Sequence, residues 1–362
     1  MTTTNQAVSQ ATSQSNGQSN GKSDNILLNV KGLKKYFPIQ KGFMRKTVGF
    51  VKAVDDVSFF VREGETLGVV GESGCGKSTA GRSIIRLYEP TAGQINFKSR
   101  VLGSNGQTKV VNMMELNKRD LKAVRREMSM IFQDPINSLN PRMSVSDIIS
   151  EPMVIHGMKM GRDAEDKIVN LLERVGLRAD HLRRYPHEFS GGQRQRIGIA
   201  RALSLNPRLV ICDEPVSALD VSIQAQTLNL LQDLQKEFNL AYIFVAHDMS
   251  VVEHISDRVA VMYVGKVVEM AKTDEIFSHP LHPYTEALLS SVPKPDPLSQ
   301  SHRIMMQGEV ADPSNPPTGC YFHPRCRFAK DICKEKAPEF REVRHDHWTS
   351  CHFSEELSLS GI

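Results

Sequence analysis

The chain has 362 residues, 40% hydrophobic and 24% charged, with a formal net charge of +4. That length suits two domains, or one large domain with an extension, and supplies ample apolar side chains for a core. The mild charge excludes the concentrated basic footprint of a nucleic-acid binder. No apolar run approaches the roughly 18–20 residues of a membrane helix. The N-terminus lacks the charged-then-apolar profile of a secretory signal, so the chain reads as soluble and cytoplasmic.

Residues 1–25, "MTTTNQAVSQATSQSNGQSNGKSDN", carry almost no apolar side chain. Such a segment cannot bury enough surface to offset its ordering entropy, and a disordered polar tail is expected. Alternating apolar residues in "ILLNVKGLKKYF" and "VKAVDDVSFFVREGETLGVVG" predict strands. A glycine-rich turn and a helix pattern, "KSTAGRSIIRLY", follow. Pro90 and Gly93 stop that helix, and "GQINF" opens another strand. Residues 116–204 read mostly as helices with short breaks. "RLVICDEP" and "AYIFVAHD" are short apolar runs bounded by turns, as buried parallel strands are, with the helix pattern "SIQAQTLNLLQDLQKEF" between them. Strand, helix, strand, with chemistry at each strand's carboxyl end, predicts a doubly wound α/β fold. From about residue 276 the chain becomes proline-rich and bears histidine and cysteine with little periodicity, which predicts a second, smaller domain.

"GESGCGKST" fits G-x-x-x-x-G-K-[ST] between a strand and a helix. Gly71, Gly74 and Gly76 let the backbone turn its N–H groups onto phosphate oxygens. Glu72, Ser73, Cys75 and Thr79 complete the loop, and the following helix adds its positive end. Lys77 is placed to reach the β- and γ-phosphates, and the Ser78 hydroxyl to complete a Mg²⁺ shell. Downstream, "RLVICDEP" delivers Asp213, a candidate Mg²⁺ holder, and Glu214, a candidate base for the attacking water.

"FSGGQRQR" at 189–196, together with the phosphate loop, "CDEPVSALD" and "VAHD", resembles the ATP-binding subunit of ABC transporters. Phe189 stands where that family's LSGGQ signature has Leu. The resemblance implies a P-loop ATPase over residues 26–275. Its parts would be a RecA-like parallel sheet core, an antiparallel β subdomain and a helical subdomain at about 134–204. It further implies that ATP and Mg²⁺ are bound, and that two subunits sandwich two ATP molecules head to tail. Under it, Gln133 in "IFQDP" is the Q-loop glutamine near Mg²⁺ and the attacking water. Ser190, Gly191, Gly192 and Gln193 cap the γ-phosphate held by the other subunit. Asp220 ends the D-loop, His247 is the switch histidine, and Phe37 stacks on adenine with Tyr36 as runner-up.

"IFQDPINSLNPRMSV" and "HPLHPYTEALLSSVP" are similar to oligopeptide/dipeptide importer ATPases, and most to their F-type subunits. This implies a D-type ATPase partner, two integral-membrane permease subunits, and an extracytoplasmic solute-binding protein acting indirectly. It also implies a peripheral position on the cytoplasmic face of the inner membrane and peptide import driven by ATP hydrolysis. Nickel or another solute carried by the same machinery is the alternative, as is a non-transport ABC ATPase. No nucleic-acid partner is expected.

Four of the six cysteines, Cys320, Cys326, Cys333 and Cys351, fall in a loop-rich extension at 276–362. Clustered cysteines in a reducing compartment bind metal or do redox chemistry more often than they form disulfides. Four thiolates can hold Zn²⁺ or an iron–sulfur cluster, though this spacing fits neither the usual zinc pairs nor the ferredoxin run. Some importer ATPases with such a tail carry a [4Fe–4S] cluster, and that is the expectation here, with Zn²⁺ or plain thiols as alternatives. His323, His345, His347 and His352 are possible zinc ligands and read individually as surface histidines. Cys75 and Cys212 read as small residues that fit their sites without chemical work.

Overall fold

The computed structural model describes residues 25–292 and 303–362. All of the expected polar tail except Asn25 lies outside the described residues. The described strands are, in chain order, β1 (Ile26–Lys41), β2 (Lys46–Arg62), β3 (Thr66–Val70), β4 (Ala92–Ser99), β5 (Lys109–Asn112) and β6 (Met128–Ile131). They continue with β7 (Leu209–Asp213), β8 (Ala241–Val245), β9 (Arg258–Tyr263), β10 (Lys266–Lys272), β11 (Arg341–Arg344) and β12 (His347–Thr349).

These strands form two sheets. The smaller is antiparallel, in the order β2-β1-β4-β5. The larger runs β11-β12-β10-β9-β3-β8-β7-β6, and its pairs from β9 to β6 are parallel. Every residue of β3, β7, β8 and β9 is buried. Strands covered on both faces read as unbroken apolar runs, which is why "LVIC" and "YIFV" were legible. One face packs on the helix Lys77–Ile84 and the antiparallel sheet, through Ala80, Ile84, Leu28 and Phe97. The other packs on helices that include Val145–Ile155, Arg162–Arg174 and Gly191–Leu203, through Ile149, Leu172 and Ile199.

Three features depart from the expectations. The helix at the phosphate loop ends at Ile84, four residues before Tyr88, where Arg86 takes a left-handed φ of 55°. Within the stretch read as helical lies β6, whose four residues "MSMI" are too short for a pattern to declare a strand; its pairing with β7, Met128 opposite Leu209, defines it. The extension is also not simply appended: its β12 pairs antiparallel with β10, Glu269 opposite Thr349 and Met270 opposite Trp348. The large sheet therefore crosses the expected boundary at 275/276.

A buried carboxylate fastens this junction. Glu269, fully buried on β10, accepts hydrogen bonds from the Leu281 and His282 backbone N–H groups at 2.6 and 3.0 Å. His347 Nε2 lies 2.7 Å from the same carboxylate. His347 is thus a buried structural residue rather than a surface histidine, because the acidic partner compensates its burial.

Candidate functional site

The phosphate loop leaves the carboxyl end of β3 and enters the helix Lys77–Ile84. Gly71 and Gly76 both have positive φ, 149° and 104°. A Cβ at Gly71 would run into the Met262 carbonyl oxygen, and one at Gly76 into that of Ala53. The loop is thus pressed against backbone on two sides, and only glycine fits there. Lys77 Nζ donates to the carbonyls of Gly71 and Glu72 at 2.7 and 3.0 Å. Ser73 and Gly74 at the tip are exposed, whereas Cys75 is buried, which pushes its thiol up. The Thr79 carbonyl accepts from the Ser83 hydroxyl at 2.7 Å.

Strands β6, β7 and β8 lie side by side and end on the same side, so their carboxyl ends deliver residues to one place. Ser78 donates to Asp213 Oδ1 at 2.6 Å, and Arg82 Nη2 lies 3.1 Å from Asp213 Oδ2. Asp213 is fully buried, and the Arg82 guanidinium compensates its charge. Arg82 escaped the sequence reading, although its place four residues after Ser78 puts both on one helix face.

Glu214 is held by its own N–H, which donates to the Val245 carbonyl at 3.0 Å, and takes a left-handed φ of 47°. Such backbone is costly and clusters at functional sites. Gln133 Nε2 donates to Glu214 Oε2 at 2.9 Å, and His247 Nδ1 lies 3.4 Å from the same oxygen. Three residues from three strand ends thus meet at one carboxylate oxygen.

Ser190 caps the helix Gly191–Leu203 in a reciprocal box: Gln193 N–H donates to Ser190 Oγ, and Ser190 N–H to Gln193 Oε1. Phe189 is buried, edge-on to His181 with ring centroids 5.3 Å apart, so the Leu-to-Phe change is absorbed in packing. Asp220 precedes the helix Val221–Phe238 and bonds Gln224 N–H through its carbonyl. Ile223 of that helix lies against Gly192. Among the described residues, no hydrogen bond or ion pair joins Ser190–Gln193 to the phosphate loop. Phe37 is half-buried, edge-on to Tyr88 at 5.6 Å, with Lys35 Nζ 4.8 Å above its ring. The Tyr36 hydroxyl is engaged by Asp55, which also accepts from Tyr321 at 2.7 Å.

Cys320, Cys326, Cys333 and Cys351 line one small pocket, closed by Phe322, Phe328 and Phe353. All four are free thiols. Burial pushes Cys320 up to about 11 and Cys351 up to about 12, and raises Cys326 as well. Thiols held neutral by burial would become ligands only with a cation to draw off their protons. Among the described residues, the group with metal-ligating atoms within 4.8 Å of one another is Glu342, His345 and Asp346, on the β11–β12 hairpin.

Comparison with known proteins agrees with this architecture. The ABC transporter family profile matches residues 54–217, and the profile of the oligopeptide/dipeptide transporter C-terminal region matches 268–333. The oligopeptide transport ATP-binding protein AppF of Bacillus subtilis is 56% identical over 328 residues, 90% of this chain and 97% of that protein. The dipeptide transport ATP-binding protein DppF of Haemophilus influenzae is 49% identical over 326 residues, 90% and 96% of the two chains. Among solved structures, the post-hydrolysis dimer of the ATP-binding cassette MJ0796 with ADP and Pi superposes with a TM-score of 0.57 at 25% identity, covering 68% of this chain and 99% of that one. CbiO1 of Clostridium perfringens, part of the ABC transporter complex cbiONQ, gives 0.56 at 27% identity, covering 70% and 91%. On the strength of both profiles and of relatives matched over nearly their full length, the chain belongs to the oligopeptide/dipeptide family of ABC transporter ATP-binding proteins.

Proposed function

We propose that this chain hydrolyses ATP to drive peptide uptake, as the F-type member of an ATPase pair. The observation that carries the reading is the convergence of Gln133 and His247 on the Glu214 carboxylate beside the phosphate loop. Glu214 is then the base that takes a proton from the attacking water, with Gln133 and His247 orienting it. The loop N–H groups and Lys77 hold the triphosphate. Ser78 and Asp213, already in contact, are the donor set for Mg²⁺, which neutralises charge on the phosphates when bound. The signature residues point to a second subunit, since they share no bond with this chain's own phosphate loop. That subunit, in this reading, is a D-type ATPase, and the pair docks on two permease subunits at the cytoplasmic face of the inner membrane. Among the described residues no helix is long and apolar enough to cross a membrane.

The same proposal gives the four cysteines a [4Fe–4S] cluster. Their shared pocket and thiol donor set support it.

The test is ATP hydrolysis by the reconstituted transporter in vesicles, with its solute-binding protein supplied on the opposite side. Stimulation by short peptides is the expected result. Stimulation by nickel alone would reassign the solute, and salt-sensitive RNA or DNA binding without transport would overturn the reading.

A further inference from the structure

The C-terminal extension reaches the phosphate loop itself, at Glu72. Arg325 bonds the Glu72 carboxylate with both terminal nitrogens, Nη1 to Oε2 at 2.7 Å and Nη2 to Oε1 at 3.0 Å. The Arg325 side chain is 7% exposed and that of Glu72 25%, so water reaches this bidentate pair mainly from the carboxylate side. The Glu72 bond raises the guanidinium further above its ordinary range. The extension holds Glu72 a second time: its backbone N–H donates to the Tyr284 hydroxyl at 2.9 Å. Tyr284 is fully buried, its ring centroid 4.8 Å from Tyr263 and 5.4 Å from Phe322. The Glu72 carbonyl, meanwhile, accepts from Lys77. Side chain, N–H and carbonyl of one loop residue are therefore all engaged, two of them by residues more than 200 positions away.

A loop that holds a polyanion faces two costs. Its glycines must be ordered, and any carboxylate within it repels the ligand. Arg325 is placed to relieve both. We propose that Arg325 is a positioning residue for ATP binding, clamping the phosphate loop in its binding shape and neutralising Glu72, with Tyr284 as the second anchor. The proposal deepens the ATPase reading above and rests on it.

The clamp's location adds a consequence. Arg325 closes the short turn His323–Arg325, which begins where His323 N–H bonds the Cys320 carbonyl at 3.0 Å. Cys326 follows directly. Two of the four thiols thus flank the residue that grips the phosphate loop.

The test is nucleotide affinity, by titration with a fluorescent ATP analogue, alongside KM and kcat of the full-length chain with its ATPase partner. Arg325→Gln is expected to weaken ATP binding about tenfold, the scale of one charge-assisted hydrogen bond, with kcat at saturating ATP within about twofold of wild type. Adding Glu72→Gln removes the stranded carboxylate and is expected to recover about half of that loss on a logarithmic scale. Tyr284→Phe keeps the ring packing and loses the acceptor, for an expected weakening of about threefold. Affinity within twofold of wild type in Arg325→Gln overturns the proposal, and so does the absence of rescue in the double variant. Should Arg325→Gln fail to fold, Arg325→Lys keeps the charge and loses the fork, and unchanged affinity there overturns the clamping role. A wild-type chain that binds no ATP would remove the ATPase reading itself, and the proposal with it.

Discussion

The Gln133 side-chain amide donates to the Glu214 carboxylate at 2.9 Å, tying the segment after β6 to the end of β7. A glutamine in this place feels whatever occupies Glu214. Replacing Glu214 by Gln keeps the shape and removes the proposed base. Phosphate release is expected to fall at least about 100-fold while nucleotide affinity stays within about threefold. Residual turnover above a tenth of wild type would show that another group takes the proton.

Glu269 makes a prediction about stability. Its carboxylate satisfies two backbone N–H groups and sits against His347, with no exposure. Glu269→Leu leaves those donors buried without partners and is expected to cost about 3 kcal/mol or more. Denaturant titration measures it, and a loss below about 1 kcal/mol would mean that water or a shifted chain replaces the carboxylate.

The pH response of the extension follows from His282. This histidine is buried, and burial lowers its pKa to about 3. Its Nδ1 accepts the Tyr284 backbone N–H at 3.1 Å, which only a neutral ring can do. The unfolded chain binds this proton near pH 6.5 and the folded chain does not, so stability falls as pH drops from about 6.5 towards 3. By pH 5 the loss is on the order of 2 kcal/mol. His282→Asn keeps a capping acceptor and has no proton to gain. Melting temperatures from pH 7.5 to 5 should therefore fall less steeply in the variant, and parallel curves would refute the assignment.

The thiol pocket is tested by analysis of iron, acid-labile sulfide and zinc in protein purified without oxygen. About four irons and four sulfides per chain are expected, and Cys351→Ser should lose most of both. One zinc without sulfide would make the pocket a structural clip, and no metal would leave four buried thiols.

Legibility followed the physics of each segment. The phosphate loop and the β7 and β8 strands were readable because each carries its own local cause: glycines where side chains collide, and apolar runs buried on both faces. Strand β6 was not, since "MSMI" becomes a strand only by lying beside β7. Strand β12, "HWT", takes its burial and pairing from β10, and "REVR" becomes β11 by pairing in turn with β12. The Arg325–Glu72 clamp left no local trace at all. Its two ends are 253 residues apart, and neither has a neighbour pattern that names the other.

The pairing of β12 with β10 carries a consequence for synthesis. As the chain emerges from the ribosome, β10 appears well before its outer neighbour exists, and one margin of the large sheet stands unpaired. Open margins of this kind recruit other chains. A premature stop between β10 and β12 would thus yield a product prone to clump, burdening the cell's chaperones as well as depriving it of an ATPase.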